Sequence, residues 1–253
     1  MQRVRVYAGD GVAPRALAYA LDGLRSELPA AVQVVEIGSE ELLAGGWEAS
    51  TGAHILIGAV LGAADRASAA LLVFPGGRDL PFCAQLSGER GAGRVQRFVR
   101  GGGAYLGLCA GAYFASARVD FELGTPLEVS GTRELAFFPG AAVGAVAPGF
   151  AYASESGACA MRLRFAAAPP PPRAAPPHLP QLAMDDECLA YVNGGPACML
   201  PPGIEADPAV QVLAAYENGA PAAVRCTVGA GVAVLCGVRA LRLVVARSPQ
   251  RHP

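Results

Sequence analysis

The chain of 253 residues contains no lysine; all 20 of its basic residues are arginines. That absence excludes Schiff-base chemistry, a lysine-dependent phosphate loop and service as a lysine-modified carrier. Histidine is nearly missing too, since His54, His178 and His252 are the whole supply. An excess of either charge is also absent: 20 basic residues face 21 acidic ones, for a net charge of −1. Nothing electrostatic therefore argues for nucleic acid or an anionic membrane as partner. The seven cysteines, at 83, 109, 159, 188, 198, 226 and 236, form no CxxC pair and have no histidine at zinc spacing. No metal site and no cofactor motif is expected, and the scattered, odd set reads as reduced and intracellular.

Long apolar runs are lacking as well. The longest uncharged stretch, Leu135 to Ser154, holds Pro139, Pro148 and three glycines, which rules out a membrane span. The opening "MQRVRVYAGDG" enters a charged strand pattern directly, so no leader is expected and the protein reads as soluble and cytoplasmic. With 53% apolar residues, the chain has enough hydrophobic mass for one large domain over 1–253.

Strand and helix signals alternate through the first half. "RVRVYA" (3–8), "VQVVEI" (32–37), "ALLVF" (70–74) and "AYLGL" (104–108) read as strands. Residues 13–28, with Leu17, Leu21, Leu24 and Leu28, read as a helix, as do 92–100 and a stretch beginning at 110–117. Ser39 is placed to cap a short helix starting at Glu40. Repeated units of this length imply a parallel sheet covered on both faces. Residues 49–68 look like an inserted apolar stretch. After about residue 125 come short strands, "PLEVS", "MRLRF", "CLAYV", "QVLAAY", "AAVRCTV" and "VAVLCGV". Asn193-Gly194 and Asn218-Gly219 mark turns among them, and these strands are expected to extend the same sheet in antiparallel fashion. "PPPPRAAPPHLP" (169–180), with seven prolines in twelve residues, reads as an extended surface loop.

The chemistry points to "YLGLCAGAYF" (105–114). In an open parallel sheet ligands bind beyond the carboxyl ends of the strands. Two glycine-rich strand ends fit that description: Pro75-Gly76-Gly77 and Gly107-Leu108-Cys109-Ala110-Gly111. The second has the pattern of a nucleophile elbow, a sharp strand-to-helix turn that needs small neighbours such as Gly107 and Gly111. It would leave the Cys109 thiol at a helix N-terminus, where free N–H groups and the dipole favour the thiolate. The same N–H groups, with those of Gly76 and Gly77, would cradle an oxyanion. None of the three histidines is placed to act as the base, so no triad can be assembled. Three uses of the thiol stay open: attack on an amide or ester carbonyl, a binding pocket without turnover, and a redox sensor with Cys83 as the resolving partner. "GDGVAP" (9–14) nearly matches a dinucleotide fingerprint, but Pro14 replaces the third glycine and the stretch reads as a plain turn.

These features together resemble the biotin–protein ligase N-terminal domain family, a branch of the class I glutamine amidotransferase-like fold. The resemblance runs from Val4 to about Gly237, with 49–68 and 169–180 as extra material. Its most specific stretches are "LVFPGGRDLPFC" (72–83), "FVRGGGAYLGLCAGAYFAS" (98–116), "FELGTPLEVSGTRELAFFPG" (121–140) and "PGFAYASESGA" (148–158). It implies an α/β, flavodoxin-like three-layer sandwich, with a mainly parallel sheet and added antiparallel strands in the C-terminal half. It also implies a small-molecule ligand, with Cys109 at the nucleophile position and Gly76, Gly77 and Ala110 as oxyanion donors. Asp79, Tyr113, Arg133 and Glu134 would border the pocket, and a biotin–protein ligase is the implied partner. The chain departs from the pattern at its end. Arg239 stands roughly where relatives carry the histidine of a His-x-Glu, no glutamate follows two residues on, and the tail 239–253 is atypical. Glutaminase activity is therefore not expected, and without lysine or a catalytic-domain segment neither is biotin ligation by this chain itself.

Overall fold

The computed structural model describes residues 2–48, 70–166, 187–203 and 207–239. The expectations for 49–68, for the proline loop 169–180, for the tail beyond Arg239 and for all three histidines lie outside these residues.

Strand β1 (Gln2–Tyr7) pairs in parallel with β2 (Val32–Ile37) on one side and β3 (Leu71–Phe74) on the other. Next to β3 lies β4 (Ala104–Leu108), also parallel. Every residue of β3 and β4 is buried, which is what a strand covered on both faces requires. The period of two then sorts side chains between the layers. Val4, Val6, Leu71, Val73, Leu106 and Leu108 share one cluster with Ala20, Leu21 and Leu24 of helix α1 (Pro14–Glu27). Tyr7, Leu72, Phe74 and Tyr105 point the other way. There they pack with Phe82 of α3 (Asp79–Gln85), Val95 and Val99 of α4 (Ala92–Arg100) and Phe114 of α5 (Ala110–Ala115). Each fully buried Leu, Val or Phe of this kind contributes about 1.5–3 kcal/mol. Pro14 occupies the first turn of α1, where its missing N–H costs nothing.

The C-terminal half departs from the single sheet expected. Strands β8 (Cys159–Phe165), β9 (Glu187–Val192), β11 (Val210–Tyr216), β12 (Pro221–Val228) and β13 (Gly231–Cys236) do extend it. The order is β2-β1-β3-β4-β13-β12-β11-β8-β9, parallel as far as β13 and antiparallel beyond. A second sheet, however, is built from β10 (Ala197–Met199), β7 (Phe138–Gly144), β5 (Ser116–Phe121) and β6 (Val129–Thr132). Helix α5 is correspondingly shorter than the sequence suggests, because the chain enters β5 at Ser116. Ser39 differs too. Helix α2 (Ser39–Ala44) is capped by Gly38, and the Ser39 hydroxyl lies 2.8 Å from the Tyr7 hydroxyl instead of capping the helix. No described helix is long and apolar enough to cross a membrane.

Candidate functional site

A cleft of about 780 Å³ opens at the carboxyl ends of β1, β3 and β4, the edge where parallel sheets bind ligands. Cys109 forms its floor. The residue follows β4 directly and takes φ +50°, ψ −103°, a conformation costly for a non-glycine residue. Its backbone is fixed on both sides. The N–H donates to the Cys236 carbonyl at 2.8 Å, and the Cys109 carbonyl accepts from Ala112 N at 3.0 Å and Tyr113 N at 3.1 Å. Helix α5 therefore rises straight off β4, leaving no room for side chains at the contact. A Cβ on Gly111 would come within 2.1 Å of the Phe74 carbonyl, and one on Gly107 within 2.4 Å of the Gly111 carbonyl. The Tyr105 hydroxyl secures the junction by donating to the Gly111 carbonyl at 2.8 Å.

The second wall comes from the β3 end, held to the turn after β1. Ala13 N donates to the Gly76 carbonyl at 3.1 Å and Arg78 N to the Gly11 carbonyl at 2.8 Å. Gly77 has φ +153°, and a Cβ there would sit 2.0 Å from the Gly11 carbonyl. "GDGVAP" is thus a turn, and one that lines the cleft. A Cβ on Gly76 would lie 3.4 Å from that of Cys109. The N–H groups of Ala110 and Gly77 favour the charged form of the Cys109 thiol.

The electrostatics run against the thiolate expected from sequence. Burial pushes the Cys109 thiol up to about 11, and the Asp79 carboxylate adds to that. The opposing influences are Arg239 first, then the N–H groups of Ala110 and Gly77. A six-residue helix carries a weak dipole, and a sulfur whose residue is 5% exposed loses most of its hydration. The sulfur donates weakly to the Asn193 carbonyl at 3.7 Å, so among the described residues no carboxylate or imidazole accepts its proton. Nor does any described group of His, Cys, Asp and Glu suit a metal ion.

Of the other residues singled out from sequence, Asp79 and Tyr113 line the cleft. Burial pushes the Tyr113 hydroxyl well above its usual range, and it donates to the Gly194 carbonyl at 3.1 Å. Arg133 stands one layer back, its Nε donating to Asp79 Oδ2 at 2.7 Å. Glu134 does not border the cleft. Its carboxylate accepts from Gly88 N at 2.8 Å and its carbonyl from Gln96 Nε2 at 2.6 Å, which ties two loops together elsewhere. Cys83 is not in the cleft either; it packs against the core on α3, so the residue proposed to resolve an oxidised Cys109 faces a different layer.

Sequence reasoning missed much of the outer wall. Phe150 and Tyr152 meet edge to face at 5.0 Å, Phe121 packs on Phe150 at 5.4 Å, and the Arg78 guanidinium sits 4.6 Å over the Tyr152 ring. Glu155 accepts from Arg15 at 2.9 Å, from Asn193 Nδ2 at 3.3 Å and from the Tyr191 hydroxyl. The stretch "PGFAYASESGA" contains Phe150, Tyr152 and Glu155, a signal for part of the wall. Arg239, in sequence only a replacement for the family's histidine, lines the cleft beside Cys109.

A family model described as biotin-protein ligase, N terminal, matches residues 63–242. The chain belongs to that family. The match begins later than the resemblance traced from Val4 and ends close to it. A biotin–protein ligase from Schizosaccharomyces pombe is 54% identical over 93 residues, covering 36% of this chain and 15% of the ligase. An uncharacterized protein from Chlamydia muridarum is 38% identical over 173 residues, covering 65% of this chain and 58% of that protein. The chain therefore spans less than two thirds of either relative. Among solved structures, a glutamine amidotransferase superposes with a TM-score of 0.53 at 16% identity, over 93% of this chain and 88% of that one. A PurLQS structure from Thermotoga maritima does so with a TM-score of 0.51 at 13% identity, over 94% and 85%. At such identities these structures establish the fold of this ligase N-terminal family member, a glutamine amidotransferase-like α/β sandwich.

Proposed function

We propose that the cleft binds a small carbonyl- or amide-bearing metabolite and that Cys109 is the nucleophile toward its carbonyl carbon. The observation that carries this reading is the pairing of a strained Cys109, at φ +50°, with the glycine turn after β3 packed against it, where a Cβ on Gly76 would lie 3.4 Å from that of Cys109. Such strain persists where the surrounding structure imposes it, and it clusters at functional sites. In the proposed step the thiol proton passes to water in the cleft and the sulfur bonds to the carbonyl carbon. The carbonyl oxygen takes up the electron pair and is stabilised by Gly77 and Ala110 N–H groups. When the adduct collapses, that pair re-forms the carbonyl and the leaving group departs with its bonding electrons. With no acid among the described residues at the sulfur, the best substrates are those whose leaving group departs unprotonated: activated esters, thioesters and acyl phosphates before simple amides.

A second reading is favoured by the thiol lying near 11 and by the likeness to a Schizosaccharomyces pombe ligase. In it the domain is a non-catalytic binding module associated with biotin–protein ligase. Intact-mass measurement after incubation with p-nitrophenyl acetate separates the two. The nucleophile reading expects a single acetyl adduct mapped to Cys109 and lost in Cys109→Ser. An unmodified Cys109 removes that reading and leaves the binding module, to be pursued by co-purification with the ligase.

A further inference from the structure

The charges that line the cleft do not cancel. Five ionic side chains face it: Arg15, Arg78, Arg239, Asp79 and Glu155. Asp79 is already engaged by Arg133 from behind at 2.7 Å, and Glu155 by Arg15 at 2.9 Å. That leaves Arg78, stacked on Tyr152, and Arg239 without a carboxylate among the described residues. A protein of net charge −1 thus concentrates uncompensated positive charge in this cleft, a pattern that attracts anions.

Two buried polar atoms there have no partner among the described residues. Arg239 Nε is buried and makes no hydrogen bond to any of them. Asn193 is 2% exposed, and its Oδ1 likewise accepts nothing. The orientation of that amide is fixed by its surroundings. Nδ2 donates to the Ser154 carbonyl and to Glu155 Oε2, both at 3.3 Å, and an amide oxygen could not face two acceptors. The two residues line the same cleft from adjoining segments, because Arg239 N donates to the carbonyl of Tyr191, two residues before Asn193. A buried polar atom left unpaired is destabilising, and a ligand that pairs both removes that cost. A guanidinium has donors only and no acceptor, so Arg239 cannot be the base that a histidine would be.

Building on the reading of the cleft as a small-molecule site, we propose that Arg239 and Asn193 form its recognition end. Arg239 takes the carboxylate or phosphate of a small ligand, and Asn193 Oδ1 accepts from an adjacent N–H or O–H. The ligand is an anionic metabolite carrying a hydrogen-bond donor, seated over Cys109.

Calorimetric titration with succinamate, which has one carboxylate and one amide, tests this against three comparators: neutral succinamide, butyrate without a donor, and inorganic phosphate. Succinamate is expected to bind at least about tenfold more tightly than succinamide or butyrate, the scale of one charged hydrogen bond. Arg239→Gln should abolish the advantage over succinamide, and Arg239→Lys should keep part of it. Phosphate that displaces succinamate from the natural protein but not from Arg239→Gln identifies a phosphate ligand; failure to displace identifies a carboxylate. Equal binding of succinamate and succinamide to the natural protein overturns the proposal without reference to any variant. So does an advantage that survives Arg239→Gln, or no binding of succinamate and phosphate at millimolar concentration. The titration repeated on Cys109→Ala separates this inference from the chemistry. A charge preference kept there, with no acetyl adduct on the natural protein, upholds the recognition end and removes only the nucleophile; an adduct without the preference does the reverse.

Discussion

Arg133 Nε donates to Asp79 Oδ2 at 2.7 Å where the two side chains are only 5% and 12% exposed, which makes this a buried ion pair directly behind the cleft. The pair links β6's end to the start of α3, and so holds the loop carrying Gly77 against Cys109. Removing one partner leaves a buried charge alone. Arg133→Met should therefore lower stability by about 3–5 kcal/mol. Arg133→Met with Asp79→Leu should recover much of that loss, since neither residue is then charged. Urea midpoints of the single and double variants check this; a double variant no more stable than the single one contradicts it.

The junction of β4 and α5 makes a second expectation. Gly111 faces the Phe74 carbonyl so closely that an added Cβ would lie 2.1 Å from it, and backbone cannot yield as a flexible side chain does. Gly111→Ala should cost about 1–3 kcal/mol through overpacking. It should also displace Cys109, whose φ depends on where α5 begins. Gly38→Ala, at φ −82° with no described atom within 4 Å of the new Cβ, serves as the control for a glycine-to-alanine change without a clash. Unfolding midpoints and the yield of acetyl adduct at Cys109 report the two effects separately.

The reactivity of Cys109 should follow its surroundings. With the thiol pushed up to about 11 by burial, the iodoacetamide rate should climb about tenfold per pH unit from 7 to 10, without levelling near 8.5. The two charges beside it act in opposite directions. Asp79→Asn removes a carboxylate that disfavours the thiolate, so it should shift the profile to lower pH. Arg239→Gln removes the cation that favours it, so it should shift the profile to higher pH. Mass spectrometry of the Cys109 peptide against pH reads both shifts, and a plateau in the natural protein below pH 9 counts against dominance by burial.

How far the sequence reveals this arrangement depends on how each segment is buried. The strands at 71–74 and 104–108 are legible because they are apolar throughout and end in glycine, as strands covered on both faces do. The second sheet is not. Strand β7 contains Pro139 and Gly140, which argue for a turn, and β10 has three residues, too few for any period. The chain at 110–121 changes from helix to strand at Ser116 with no glycine or proline between, so the helix reads as longer than it is. At the site, Cys109 and its glycines are found by local pattern, since their geometry is set by adjacent residues. Arg239, Asn193 and Glu155 come from three distant segments, and only the fold brings them together. The burial that opposes the expected thiolate is hidden for the same reason, because desolvation is a property of the packed core and leaves no trace in the ten residues around the thiol.

The same desolvation acts on other thiols and ties stability to alkaline pH. Burial pushes Cys226 up to about 12 and Cys109 and Cys236 to about 11, from an ordinary value of 9.0. Because folding raises these values, the folded protein holds protons that the unfolded chain releases once the pH passes about 9. The stability contributed by keeping each thiol neutral is therefore complete below pH 9 and is lost as the pH rises toward 11 or 12. Each thiol removes about 1.4 kcal/mol per pH unit at most within that window. Urea midpoints should accordingly be flat from pH 7 to 8.5 and fall steeply from 9 to 10.5. Tyr105, Tyr113 and Tyr216, which burial also pushes well above their usual range, add to the loss only above about pH 10. Cys226→Ala separates the two sources: it should be less stable than the natural protein at pH 7, from the cavity left in the core, and should lose less stability between pH 9 and 10. Parallel pH profiles for the two proteins would mean that Cys226 does not titrate differently on folding and that the alkaline loss arises elsewhere.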